Sequence, residues 1–182
     1  MPNWCYNGVT LRHNDPAMID RAANSDGLLM EFLPTPQELL DTVAGSVAED
    51  ARHAHEAQME SNLAKYGAKD WYDWNVANWG TKWDVTLENV ERKDDNTITA
   101  SFDSAWSPPI EAYAKLEDLG FEVDAKFYEP GMAFCGTYVT GLGENSVDIG
   151  SYTADTVREA IGEDLDDYFG ISEEMAQFDE EE

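Results

Sequence analysis

The residues best suited to chemistry in this chain are carboxylates and imidazoles at helical spacing. Glu49, His53, Glu56 and Glu60 follow a near-fourfold repeat that places them along one face of a helix. Imidazole among carboxylates is a ligand set for a transition metal. Carboxylate-rich sites in bundles draw ligands from several helices, however, and no second Glu-Xaa-Xaa-His element is present. The row therefore reads first as a solvated face and only secondarily as a metal site. His13 lies next to Asn14 and Asp15 with no nucleophile to serve. Gly141-Leu142-Gly143 lacks the third glycine and the following helix of a dinucleotide loop. An EF-hand loop, a nucleophile elbow and a Cys/His zinc pattern are all missing. The sequence thus implies no cofactor and leans away from an enzyme. A hydrolase built from acids distant in sequence stays open as an alternative.

The second chemistry is recognition. NWGTKWD, residues 78 to 84, places two tryptophans and a lysine around a glycine, in a chain of formal net charge −27. Trp71, Trp79 and Trp83 read as a structural aromatic motif, because apolar bulk around most of a helix's circumference marks a buried helix. Trp74, Lys82 and Trp106 are the candidates for a partner-binding surface, together with Glu163, Asp164, Asp166 and Asp167 of the acidic C-terminal segment.

Thirty-eight acidic against eleven basic residues create a negative field that repels phosphate backbones and anionic membranes. Direct nucleic-acid and membrane binding are disfavoured. The acidity serves solubility or salt adaptation, attraction of a basic partner, or imitation of a nucleic acid. A hydrophobic fraction of 42% shows that it decorates a folded body. Met1-Pro2-Asn3-Trp4 does not open a signal peptide, and no run of eighteen apolar residues occurs, so a cytoplasmic protein is expected. Cys5 and Cys135 match no metal spacing and are expected as two buried thiols, with one disulfide as the alternative.

These residues must be held by an α+β fold with an antiparallel sheet. Val9 to Arg12 alternates as a strand, and Asp15-Pro16 starts a helix. Leu28 to Leu33 is a short apolar run, read as a strand. Thr35 can cap a helix beginning at Pro36, and Gln37 to Tyr66 favours helix with a break near Gly45-Ser46. Asp70 to Trp79 is a helix closed by Gly80. Asp84 to Val90 and Thr97 to Asp103 form a hairpin, and Ser107 caps the next helix, which Gly120 stops. Phe121 to Phe127 and Met132 to Thr140 pair around Pro130-Gly131. Val147 to Tyr152 adds a further strand, and Thr153 caps a helix to Ile161. Residues 1–152 make one domain with a helical insertion at about 45–70. Residues 153–182 form an acidic C-terminal helix and tail, docked to about Phe169 and loose beyond.

Five segments in order, MPNWCYN (1–7), FLPTPQEL (32–39), NWGTKWD (78–84), FDSAWSPP (102–109) and YEPGMAFCG (128–136), resemble the YubB-like, Api-effector-like family of ferredoxin-like domains, which occurs in phage and plasmid proteins and in effector-like proteins of plant pathogens. The resemblance covers roughly residues 1 to 140. It implies a split βαββαβ unit with helices on one face of the sheet, and brings no reaction and no catalytic residues. The stretch Ala48–Lys69 and the acidic C-terminus depart from it. The expected function is a non-enzymatic accessory protein of a phage or plasmid-like element that presents acidic surface to a basic host protein, with nucleic-acid mimicry as its sharper form. The alternative is a small structural or assembly module.

Overall fold

The computed structural model describes residues 2–181, with side chains placed to residue 177; Met1, Glu182 and the Phe178 side chain lie outside the described residues. The first strand, β1 (Trp4–His13), alternates as the sequence requires: Cys5, Asn7, Val9 and Leu11 are buried on one face, while Trp4, Tyr6 and Arg12 are exposed on the other. The chain then passes through α1 (Pro16–Ala23), α2 (Leu28–Phe32), α3 (Gln37–Leu40), a 3-10 turn at Glu49–Ala51, α4 (Arg52–Tyr66) and α5 (Trp71–Trp79). The hairpin of β2 (Glu88–Asp94) and β3 (Thr97–Ala105) follows, then α6 (Ile110–Asp118) and β4 (Phe121–Glu129). A second hairpin, β5 (Phe134–Val139) and β6 (Gly143–Asp148), leads to α7 (Ala154–Ile161), α8 (Glu163–Phe169) and α9 (Ile171–Glu181).

The sheet order is β2-β3-β1-β4-β5-β6, and every neighbouring pair is antiparallel. Its first four strands form the expected split βαββαβ: β3 and β4, joined by α6, lie on either side of β1. The β5-β6 hairpin extends the sheet beyond β4. On one face, Val9, Leu11, Phe102 and Val123 pack against Ile19, Leu29, Trp79 and Leu116 from the helices.

Helices were expected on that face alone, but the opposite face is covered at the β4–β6 end. There Tyr128 and Cys135 pack with Val157, Leu165 and Ile171 of the C-terminal helices. Burying one such aliphatic side chain stabilises by about 1.5–3 kcal/mol. A pair of like charges some 10 Å apart costs about 0.4 kcal/mol in water. Packing therefore wins, and the acidic segment, expected loose after Phe169, continues as α9. The two cysteines are buried free thiols. They face opposite sides of the sheet, and burial pushes Cys5 up to about 12 and Cys135 to about 11.

Several local expectations are corrected by tertiary partners. Leu28–Phe32 is a helix because Asp84 caps it from afar, its carboxylate accepting from Leu29 N at 2.7 Å and Met30 N at 3.3 Å. Asp84 to Leu87 consequently runs outside the hairpin, and β2 begins at Glu88. Thr35 does not cap α3 but donates to Asn75 Oδ1 at 2.6 Å, and Ser107 does not cap α6 but donates to the Gly80 carbonyl at 2.6 Å. The strand read at Val147–Tyr152 is displaced to Gly143–Asp148. Asp15 and Asp70 do cap their helices, and Gly80 closes α5 at φ 79°.

Candidate functional site

All five segments quoted above meet at one end of the sheet. The Asn3 carbonyl accepts from Trp106 N at 3.0 Å, and the Thr81 hydroxyl donates to the Ala105 carbonyl at 2.9 Å. Ser107 reaches Gly80, and Ser104 donates to the Ser107 carbonyl at 2.7 Å. Thr35 holds Asn75, whose amide donates to the Lys82 carbonyl at 3.0 Å. Gly131 lies directly against the Asn3 side chain.

This network fixes Trp106 in a left-handed backbone at φ 73° while leaving its side chain exposed. A bulky residue there costs of order 1–3 kcal/mol and persists only where its surroundings over-determine it. Beside it, Trp4 and Trp83 pack with ring centroids 6.0 Å apart, and Lys82 lies over the Trp83 ring at 4.6 Å. From the exposed Trp4 and Tyr6 the aromatic row continues beneath the C-terminal helices. Tyr6 stands two residues from Trp4 on β1, Tyr128 lies 6.4 Å from Tyr6, and Phe169 lies 5.9 Å from Tyr128. Tyr168 ends the row with Lys126 over its ring at 5.3 Å. The rings are mutually tilted by 42–50° along Trp83–Trp4, Tyr6–Tyr128 and Tyr128–Phe169; the exposed members, Trp83, Trp4 and Tyr6, are of the aromatic type enriched at protein interfaces, while Tyr128 and Phe169 support them from the second core.

The structure redistributes the sequence candidates. Lys82 and Trp106 lie on neighbouring loops tied by the Thr81–Ala105 hydrogen bond, and Lys82 packs on Trp83, which is 39% exposed and does not belong to the core. Trp79 is the buried member of the expected aromatic motif, its indole donating to the Leu33 carbonyl at 3.0 Å. Trp71 is half-buried against Tyr72, and α5, expected as a buried helix, is not buried all round, since Tyr72 and Val76 face solvent. Trp74 lies elsewhere, half-buried edge-on to Trp79.

Of the acidic candidates, Glu163, Asp164 and Asp167 are exposed, but Asp166 is only 2% exposed. It accepts from Ser172 N and from the Ser172 hydroxyl, both at 2.8 Å, and from Arg158 at 2.8 Å. Burial opposes its ionisation, yet these donors outweigh burial and hold its carboxyl below the usual range. Asp166 is thus a structural cap and not a partner contact. Arg158 also holds Asp167 at 2.5 Å and lies 4.0 Å from Glu163.

The row Glu49, His53, Glu56, Glu60 does not converge. Glu49 sits in the 3-10 turn and pairs with Arg52 at 2.6 Å. Among the described residues no group of three or more His, Cys, Asp or Glu side chains is placed to hold a metal ion. His13 is tied to the backbone, accepting from Asp15 N at 2.9 Å and donating to the Leu119 carbonyl at 3.0 Å.

Sequence reasoning missed Trp4 and Tyr6 as surface residues and Tyr128 as the buried ring beside them. The available signal was the two-residue spacing of Trp4 and Tyr6, which puts both on the face opposite Cys5. It also missed a cavity of about 420 Å³ beside Tyr128, lined among others by Pro130, Ile149, Tyr152, Glu174 and Met175.

No helix among the described residues is long and apolar enough to cross a membrane. No protein-family model matches the chain, and no curated protein matches it. Among solved structures, it is similar to protein api92 from Yersinia pseudotuberculosis, described under the family model DUF1281, with 12% identity and a TM-score of 0.44 over 84% of this chain and 99% of that one.

Proposed function

We propose that this protein is a non-enzymatic binding module, a cytoplasmic accessory protein of a phage or plasmid-like element related to the YubB-like domains, which engages a host protein of basic surface. The observation that carries this reading is Trp106, an exposed indole held at positive φ by a convergent hydrogen-bond network that ties it to the residue preceding the exposed Trp4, on a chain of net charge −27. Strain retained at a solvent-facing side chain has no benefit for folding and points to recognition. The surrounding negative field steers a basic partner toward the row and discourages nucleic acid. In the sharper form of the reading, the protein occupies a cleft that otherwise holds nucleic acid.

Trp106→Gly tests it, because glycine relieves the strained backbone while removing the indole. The expected outcome is an unchanged or higher melting temperature together with loss of the partner that wild-type protein captures from host lysate at low salt. A variant that melts lower and still captures its partner would assign Trp106 a structural role. Failure to capture any basic, nucleic-acid-handling protein at any salt concentration removes the mimicry form.

A second reading, an assembly module, draws on α4. Its segment carries two basic residues, Arg52 and Lys65, and two acidic ones, Glu56 and Glu60, so it is neutral within a strongly acidic chain. Asn62 is its one buried residue, and Leu63 is exposed. Sedimentation equilibrium separates the two readings: a monomer at all concentrations excludes self-assembly.

A further inference from the structure

We infer that the cavity between α9 and the β4–β5 turn receives the guanidinium end of an arginine side chain from a polypeptide partner. This rests on the proposed function and names what the partner would insert. The cavity, about 420 Å³, lies within the range of small-ligand pockets. Among the described residues Glu174 is the one charged residue in its lining; Tyr128, Tyr152, Pro130, Ile149 and Met175 supply aromatic and apolar walls.

Those walls and that charge select the ligand by elimination. An anion meets Glu174 and the net negative field. A neutral apolar group would cover the carboxylate without pairing it, which is unfavourable. A cation with an apolar stem satisfies both parts. Between the two natural choices, an ammonium is a compact and strongly hydrated point charge, whereas a guanidinium is planar, less hydrated and stacks on aromatic faces.

Two further features suit the site to a polypeptide. Burial first, and then the neighbouring Glu174 carboxylate, push the Tyr128 hydroxyl well above its ordinary range, so it stays protonated and able to hold that carboxylate in place. The buried Tyr128 ring also lies 6.4 Å from the exposed Tyr6, and Gly131 of the cavity wall lies against Asn3, so the cavity is one residue removed from the exposed Trp4 and Tyr6. A chain lying along the row would reach the cavity with one side chain.

The test is titration calorimetry with acetyl-Gly-Arg-Gly-amide, its lysine counterpart and free ethylguanidinium. Glu174→Gln serves as the site variant and Glu173→Gln, on the exposed side of the same helix, as its charge-matched control; melting temperatures confirm that both fold. Expected is binding of the arginine peptide about tenfold tighter than the lysine peptide, weakened about tenfold by Glu174→Gln and left within about twofold by Glu173→Gln. Equal loss in both variants, equal affinity for the two peptides, or no binding would overturn the inference. Ethylguanidinium binding as tightly as the peptide would overturn the polypeptide source. If Glu174→Gln captures the lysate partner undiminished while Trp106→Gly loses it, the pocket assignment fails and the proposed function stands; if both capture what wild type captures, the proposed function fails as well.

Discussion

Asp166 and its neighbours show how little a carboxylate's type says about its role. Four acids in five positions look alike in sequence, yet Asp166 is turned inward to cap the start of α9 through Ser172 while Glu163 and Asp164 face solvent. The signal that separates them is tertiary: Ser172 lies six residues on, beyond the left-handed Gly170, and Arg158 belongs to the preceding helix. Asp166→Asn keeps the shape and removes the charge, with an expected loss of about 1.5–3 kcal/mol, the worth of hydrogen bonds to a charged group. A lowered folded-state pKa means that this contribution is complete above the unfolded value, near 4, and fades as pH falls through the lower folded value. Melting curves should therefore show wild type more stable than Asp166→Asn at neutral pH, with the gap closing below about pH 4. A gap unchanged down to about pH 2 would mean that ionisation of Asp166 is not what stabilises the segment.

At the scale of elements, periodicity was enough where an element supplies its own reasons for forming. The alternation of β1 and β4, the Asp15 and Asp70 caps and the Gly80 stop are all visible in one dimension. It failed where a distant residue decides, as for α2, whose cap lies more than fifty residues away at Asp84. The docking of the C-terminal helices belongs to the second group and depends on a missing side chain. Gly8 sits in the middle of β1 with the Tyr168 ring over it; a Cβ there would fall 2.1 Å from the Tyr168 hydroxyl oxygen and 2.4 Å from Cζ. A glycine within a strand often marks such a close approach. Gly8→Ala should lift α8 off the sheet, seen as faster amide exchange in residues 163–177 with protection of β1 and β4 retained. Adding Tyr168→Ala should restore slow exchange by removing the clash. Unaltered exchange in the single variant would show that the ring moves aside without loosening the helix.

For the molecule as a whole, the sequence made the α+β architecture and the direction of the charge legible, because both are sums over many residues. It left the candidate surface hidden, because exposure of Trp4 depends on which side of the sheet it emerges, that of Trp83 on the loop between α5 and β2, and that of Trp106 on a network assembled from three separate segments. The same global charge makes opposite predictions for stability and for binding. Six of the eleven basic residues, Arg21, Arg52, Lys65, Arg92, Lys93 and Arg158, are in ion pairs among the described residues. Each exposed pair contributes about 0–1 kcal/mol. Thirty-eight carboxylates far outnumber these partners, so most of the electrostatic energy is self-repulsion, and added salt removes more repulsion than attraction. Raising sodium chloride from 0.01 M to 1 M shortens the screening length from about 30 Å to about 3 Å, and the melting temperature should rise across that range. Partner capture should fall across the same range, since screening removes the attraction that steers a basic surface toward this one. A melting temperature that falls with salt would show that the few ion pairs outweigh the repulsion; capture that persists at 1 M salt would place the binding energy in the aromatic row and leave the acidic surface to solubility alone.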